Sequence, residues 1–422
     1  MFKIMIISAL LAVCTTTDNS DGYTSNYLPY PYVENPAPIP TPAPEGYRPF
    51  HIEHYGRHGS RYLIDKEQYT RPLKALEAAG RNGLLTPLGD TLLTHLRIAE
   101  YEARNRYGEL TEKGARQHRA IAGRMAANYP DIFMSPAYIN ARSTVVNRCI
   151  LSMLNGIDAL RKSNPSLIIV CDASQADMRY MNHEDDSVSD IRRRATRDIL
   201  HDYNRRHRNK GEYLEKLITD KDFARDSIDA KTLANDLYHV LANDRSHAGR
   251  SYRYDTVFSQ EERYERWLRS NARWFIQSGN SGLTRNMVPY IQSELLYNII
   301  ASADTAIVSG HPGANLRYGH DGMVLPLAVL MELNDYNREI NDIEAVGELW
   351  HDYEVVPMAA NIQLIFYRPD SDCSPENVLV RAMLNEREVT LPVRSDTAPY
   401  YKWADIRRYY LEKLSRSPIK QN

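Results

Sequence analysis

Cysteine is scarce in this 422-residue chain: there are four, Cys14, Cys149, Cys171 and Cys373. No CxxC pair or Cys/His finger spacing occurs, so no structural zinc is expected. With Cys14 set aside as part of a leader, three remain, and an odd count excludes a full disulfide framework. Cys149 and Cys171 stand in the apolar contexts RCILSM and IIVCD and read as buried thiols. Net charge is also missing. Fifty-two Lys and Arg against 54 Asp and Glu leave −2, which argues against a nucleic-acid binder and requires any cationic site to be local. Phenylalanine is rare, 7 beside 29 tyrosines, and no internal repeat is visible. A hydrophobic content of 43% is enough for a large core, so the class is a soluble globular protein.

The first apolar run, IMIISALLAV after Lys3, is too short to span a bilayer but suits a signal-peptide core. LLAVC is similar to a bacterial lipoprotein cleavage site, with Cys14 as the lipidated residue, although Val13 stands where a small residue is usual. The expectation is an exported protein, periplasmic or anchored in the outer membrane by a lipid on Cys14. An ordinary cleaved signal is the alternative. Residues 15–45 are first polar, then proline-rich (LPYPYVENPAPIPTPAPE), and read as a linker or a strap over the surface.

From there the chain alternates strand and helix signals. YRPFHIEHYGRHG reads as a strand entering a glycine loop, and residues 66–81 and 89–105 have helical spacing. Thr111 is a good N-cap for a helix ending before Pro130. AYINARSTVVNRCILSMLNGI reads as a strand to Ala141 and a helix after Ser143, and SLIIVCDAS as a buried strand. Charged helical segments fill residues 189–298. Then TAIVSGH reads as a buried strand and MVLPLAVLMEL as an apolar helix, and NIQLIFYR, NVLVRAML and REVTLP read as late strands. This pattern predicts an α/β domain in two parts, 46–188 and 299–422, with a mostly α-helical cap inserted at 189–298.

EHYGRHGSRY concentrates two histidines, two arginines and two glycines in ten residues. His51, His54 and His58 offer HxxHxxxH spacing for a metal, but on a strand His51 and His54 point to opposite faces. In a phosphate site, Gly59 lets the backbone approach the ligand, and Arg57 and Arg61 present planar forks of donors to its oxygens. His58 between arginines is biased to its neutral form, a competent nucleophile toward phosphorus. Taken alone, RHG also fits a charged turn paired with carboxylates. Two further strand-to-helix junctions add to it: ARSTVVNR with Arg142, and YGHDG with His320 and Asp321. Strand-end loops are where open α/β sheets bind ligands.

RHGSR, ARSTVVNR and YGHDG, in this order, resemble the histidine phosphatase superfamily, in its acid phosphatase and phytase branch, which includes multiple inositol polyphosphate phosphatases. The resemblance spans roughly residues 46–415. It implies a sheet flanked by helices (a phosphoglycerate mutase-like core) with an inserted helical domain. By position, it implies His58 as the nucleophile that becomes phosphorylated, and Arg57, Arg61, Arg142 and His320 as holders of the phosphoryl group. Asp321 would be the proton donor. No cofactor and no metal are implied. Two positions depart from the pattern. Leu63 stands where the family often has proline, and His320-Asp321-Gly322 stands where many inositol polyphosphate phosphatases carry His-Ala-Glu. The implied substrate is a small-molecule phosphate ester, phytate or another inositol polyphosphate. The alternatives are a broad acid phosphatase acting on sugar phosphates and an exported protein that binds phosphate esters without turnover. Arg192, Arg193, Arg194, Arg205, Arg206, Arg208 and Lys210 would form a basic rim to the pocket or a solvated face. His54 and His311 read as turn or core histidines, and His183 and Glu184 as loop residues that could line a pocket.

Overall fold

The computed structural model describes residues 19–33, 35–134, 137–208, 211–249, 254–370 and 374–419. The expected leader 1–14 with Cys14, together with Lys210 and Cys373, lies outside the described residues. Strand β1 (Tyr47–Arg57) is followed by helices α1 (Glu67–Arg81), α2 (Pro87–Ala103) and α3 (Glu112–Asn128). Then come β2 (Tyr138–Ser143), α4 (Asn147–Ser163) and β3 (Ile168–Asp172). Shorter helical pieces lead to α5 (Ala230–Asn243), α6 (Gln260–Ser278) and α7 (Ser293–Ser309). The chain re-enters the sheet as β4 (Gly313–Gly319), which runs straight into α8 (Asp321–Leu330). Strands β5 (Asn361–Pro369), β6 (Leu379–Leu384), β7 (Arg387–Val389) and β8 (Tyr401–Lys402) precede the last helix, α9 (Trp403–Ser415).

The sheet order is β3-β2-β4-β1-β5-β6-β7, with β8 on β6. The four strands from β3 to β1 run parallel, and β5 and those beyond it pair antiparallel. All four parallel strands therefore end at one edge, and the register Arg57↔Gly319 brings the ends of β1 and β4 level. Alternation along β1 sends Ile52 and His54 to the face covered by α3 and α4, and Tyr55 and Arg57 to the opposite face, under α6, α7 and α8. Beneath the edge, buried Glu53 accepts from Arg317 at 2.6 Å and from Asn315 at 2.6 Å, and it meets His51 at 2.8 Å. That network ties β1 to β4. His54 and His118 are buried core imidazoles, each pushed down to about 3 chiefly by burial and so neutral.

Several expectations need correction. TAIVSGH is not a strand: α7 continues through Ser309 and stops at Gly310, whose φ of 65° ends the helix. Its apolar run places Ile299, Ile300, Ala303 and Ile307 at helical spacing on one buried face. Strand β3 is the sheet's edge, and its residues, Cys171 included, are largely exposed rather than buried. The helical block 189–298 does not pack as one unit. Its part from Tyr213 to Phe258 shares an apolar cluster with α1 and α2, while α6 and α7 join the cluster over the sheet.

Of the stretch read as a linker or a surface strap, residues 19–33 are largely built into the fold and residues 35–45 are mostly exposed. Residues 19–27 form an irregular 3-10 segment with Thr24, Ser25 and Tyr27 buried. After it, Tyr30 and Tyr32 pack with Ile121 and Ala359 while Tyr30 Oη donates to Glu386 at 2.7 Å. Buried tyrosines with partnered hydroxyls recur, as in Tyr55 to the Met181 carbonyl and Tyr410 to the Met331 carbonyl. The excess of tyrosine over phenylalanine is thus core material with polar tips.

The segment is pinned by Asp352, fully buried, which accepts from Ser25 Oγ and from Trp267 Nε1. Burial lifts its carboxyl from 3.8 to about 6, against the pull of those hydrogen bonds. A carboxyl raised in the folded state contributes stability that is complete below about pH 4 and lost as pH rises through about 6. Asp352→Asn should remove that dependence. Denaturant unfolding of the wild type should lose up to about 3 kcal/mol between pH 4 and 8 from this group, and the variant's loss should be smaller by that amount. Parallel pH profiles for the two proteins would contradict it.

Candidate active site

The RHG loop leaves β1 under tight backbone control. Arg57 N–H donates to the Ala360 carbonyl at 2.7 Å, His58 N–H to the Gly319 carbonyl at 2.9 Å, and Ala359 N–H to the His58 carbonyl at 3.0 Å. Gly59 N–H reaches Ser152 Oγ at 3.1 Å, and Ser60 N–H reaches Gln117 Oε1 at 2.8 Å. The loop sits against the start of α3 so closely that a Cβ on Gly59 would lie 2.5 Å from the Gly114 carbonyl oxygen. A Cβ on Gly114 would lie 2.2 Å from the Ser60 carbonyl oxygen. Two glycines facing each other are what let the loop seat.

His58 is buried, and its Nδ1 is 2.8 Å from the Gly59 carbonyl. A carbonyl only accepts, so Nδ1 carries the proton and Nε2 keeps its lone pair. Burial, then the charges of Arg57, Arg148 and Arg61, hold this imidazole well below its usual 6.5. It is neutral across the physiological range. The His320 ring stands 5.8 Å away at 72°, with Nε2 3.3 Å from Thr144 Oγ1, and burial and Arg148 push it down to about 4. Beneath it, Cys149 Sγ donates to the Gly319 carbonyl at 3.2 Å.

Asp321 opens α8. Its Oδ2 is 2.9 Å from an Arg57 Nη2 and 2.8 Å from Asn26 Nδ2, and its Oδ1 accepts from Gly322 N–H at 2.9 Å. Burial would raise its pKa, but Arg57, Asn26 and Arg61 outweigh it and hold the carboxyl at about 2. Arg57 is fully buried, and its Nη1 donates to the carbonyls of Asn26 and Val356, both at 2.7 Å. Burial draws it down to about 10, still charged at neutral pH. Arg61 is held by the Tyr62 carbonyl at 2.9 Å and lies over the Tyr27 ring.

Arg57, His58, Arg61, His320 and Asp321 thus converge, while Arg142 stands apart. Arg142 pairs in register with Arg317, two positions short of Gly319, and its Nε faces Asp177 at 3.7 Å. The arginine that ARSTVVNR brings to the cluster is Arg148, near the start of α4, whose charge bears on His58, His320 and Arg57. Its Nε–H, like those of Arg57 and Arg61, is buried without a protein acceptor. The strand-end rule, applied to the residue at the helix start rather than the one inside the strand, points to Arg148. Asn26 was also missed, because its polar segment carries no periodic signal.

Above the cluster opens a cavity of about 840 Å³ with Asn26, Tyr27, Arg61 and Asp321 among its lining residues. Among the described residues that line it, Asp321 is the only acid, against Arg61, Arg205, Arg208, Lys231, Arg266, Arg269 and Arg273. Of the expected basic rim, Arg205 and Arg208 are here. Arg192 instead donates to the Gln277 carbonyl, Arg193 and Arg206 pair with Asp190 and Glu344, and Arg194 is exposed. The rest of the positive wall is Arg61, Lys231 of α5 and one face of α6, where Arg266, Arg269 and Arg273 are spaced three and four apart. That spacing was readable in QEERYERWLRSNARWFIQ. His183, Glu184 and His311 do not line the cavity. Among the described residues, no group of three or more His, Cys, Asp or Glu side chains is placed to hold a metal ion.

The fold that carries this site, a mixed sheet with helices on both faces, is shared with solved structures of an inositol polyphosphate phosphatase and of phytases. Three similar solved structures are an inositol polyphosphate phosphatase and two phytases. The first is the multiple inositol polyphosphate phosphatase of Bifidobacterium longum in complex with inositol hexasulfate (TM-score 0.72, 17% identity, 92% of this chain and 97% of that one). The second is the phytase from D. castellii (0.68, 16%, 94% and 86%), and the third is the apo form of Hafnia alvei phytase (0.55, 12%, 88% and 98%). No family model matches the chain. At such identities the likeness establishes the fold, and activity must be argued from the site.

The placement of the third arginine is directly measurable. Calorimetric titration with inorganic phosphate should show Arg148→Ala weakening binding by about tenfold or more, the loss of a charge-assisted contact. Arg142→Ala should cost less than about threefold, as a partly exposed pair does. Equal losses, or the larger loss at Arg142, would contradict the assignment.

Proposed function

We propose that the protein is a metal-independent phosphomonoesterase that works through a phosphohistidine on His58 and acts on inositol polyphosphates such as phytate. The observation that carries the reading is a buried imidazole, held neutral with Nε2 free, among three arginines and beside a carboxylate at a helix start. Phosphoryl transfer asks for positioning and charge stabilisation more than for covalent chemistry by the protein. Arg57, Arg61 and Arg148 offer the donors for the non-bridging oxygens, with His320 beside them. The lone pair of His58 Nε2 attacks phosphorus, the ester P–O bond breaks, and Asp321 gives its proton to the departing alkoxide. Water then attacks the phosphohistidine, the P–N bond breaks, and Asp321 takes the water's proton.

The site's charge constrains the pH dependence. Asp321, at about 2 in the free site, must be protonated for the first step, and a bound phosphate supplies the negative charge that raises it. His58 stays neutral well below pH 6.5 and sets no limit in mild acid. Activity is therefore expected to peak at acidic pH and to fall as the donor's proton is lost toward alkaline pH.

A polyanion as substrate is supported by the cavity, whose lining includes six arginines and one lysine against one carboxylate. The B. longum and H. alvei proteins have been solved with inositol hexasulfate and with myo-inositol hexakis sulphate, respectively, as ligands.

Two assays test the proposal. Phosphate release from phytate, sugar phosphates, nucleotides and nitrophenyl phosphate should proceed equally with and without chelator, with phytate preferred. Turnover lost to the chelator would overturn metal independence, and binding without turnover would favour the receptor reading. Asp321→Asn should slow alkyl phosphates by roughly a hundredfold or more, and nitrophenyl phosphate, whose leaving group needs little protonation, by far less. Equal losses would remove Asp321 from the donor role.

A further inference from the structure

The proton donor of that reaction is held from outside the α/β core. Asn26 lies in the segment before β1, and it touches both members of the central ion pair: its Nδ2 donates to Asp321 Oδ2 at 2.8 Å and its carbonyl accepts from Arg57 Nη1 at 2.7 Å. The same segment seats the next arginine, because Tyr27 lies under Arg61 and its hydroxyl meets His239 Nδ1 at 3.0 Å. The segment is firmly attached. Ser25 is buried on Asp352, Tyr23 packs against Tyr264 and Trp267, and Met358 N–H donates to the Leu28 carbonyl at 2.7 Å. Ser25 adopts φ 54°, ψ −133°, a conformation costly for a residue with a Cβ. This strained residue immediately precedes Asn26, the residue that contacts the proton donor.

Resting on the phosphatase reading, we infer that Asn26 is a positioning residue: it holds the Asp321 carboxylate against Arg57, so that Oδ1 rather than Oδ2 is left to exchange the proton with the substrate. Oδ2 accepts from Asn26 and faces the Arg57 charge at 2.9 Å, whereas Oδ1 accepts only the Gly322 backbone N–H, and Asp321 lines the cavity. The groups around this carboxylate are Tyr55, Arg57 and Arg61 from β1 and its loop, His320 beside it, and Arg148 and Cys149 from α4. The arginines of α6 line the same cavity. Among these, Asn26 is a neutral contact, so it acts by hydrogen bonding and orientation without changing the site's charge. A hydrogen bond to the ionised form lowers a carboxyl's pKa, and removing it raises the pKa.

The test uses the full chain with Asn26→Ala and with the isosteric Asn26→Asp, which sets a second carboxylate beside the first. For Asn26→Ala, kcat on an alkyl phosphate should fall about tenfold and on nitrophenyl phosphate about twofold, with KM changed less than about twofold. The alkaline limb of the alkyl-ester profile should move up by about half a pH unit, and in Asn26→Asp by about one unit or more. Equal losses on the two esters with the limb unmoved would reduce Asn26 to a structural role and overturn the inference. If Asn26→Ala does not fold, Asn26→Asp decides alone. Carbon-13 titration of the Asp321 carboxyl, assigned by its loss in Asp321→Asn, reads the same shift without turnover. An unmoved titration in both variants overturns the inference even if no ester is cleaved, whereas absence of turnover in the wild type overturns only the phosphatase reading.

Discussion

The ion pair between Arg57 and Asp321 is made where β1 and β4 end side by side. A guanidinium as buried as Arg57 must be met by acceptors, and it has two carbonyls and one carboxylate. Each comes from a different part of the chain: Asn26 before the sheet, Val356 before β5, and Asp321 at the start of α8. Satisfying one charge therefore draws these segments to a single point. The imidazole of His58 follows in the next residue and inherits both the burial and the positive surroundings that keep it neutral. Fold and chemistry meet in this pair, since the contacts that stabilise the strand end also poise the histidine and the carboxylate.

The cavity above extends the same electrostatics outward. Charge near zero over the whole chain hides a local excess, because seven of the residues lining the cavity are Arg or Lys and one is an acid. Arg266 shows how such a wall is kept: its guanidinium lies 4.2 Å from the centroid of the Tyr238 ring and donates to Asn235 at 2.9 Å. Arginine stacked on an aromatic ring stays ordered while remaining free to meet an anion. That is the environment a multiply charged ester requires.

Much of this was legible in the chain. Alternation in YRPFHIEHYGR and the glycines of RHGSR are local signals, and they located β1 and its loop. The apolar run after His320-Asp321 located α8 in the same way. The rest depended on information that is not local. Residues 19–33 bury tyrosines and a serine through hydrogen-bonded partners, so hydropathy reads them as a linker. Arg142 and Arg148 are six residues apart in one motif, and only the true start of α4 at Asn147 tells which one reaches the site. The end of α7 looked like a strand because a short run such as TAIVS satisfies either pattern until its upstream helical phase is counted. The helical block was misjudged as one unit because α1 and α2, far upstream, supply the apolar surface that its middle part covers.

The account turns on one nitrogen atom, Nε2 of His58, as the acceptor of the phosphoryl group. Mixing the protein with excess substrate, quenching in base after milliseconds and mapping phosphate by mass spectrometry tests this most directly. The account predicts a transient phosphohistidine on the peptide containing residue 58, formed and lost at rates that match turnover. Phosphate found on another side chain, or turnover with no covalent phosphate at any time, would contradict it.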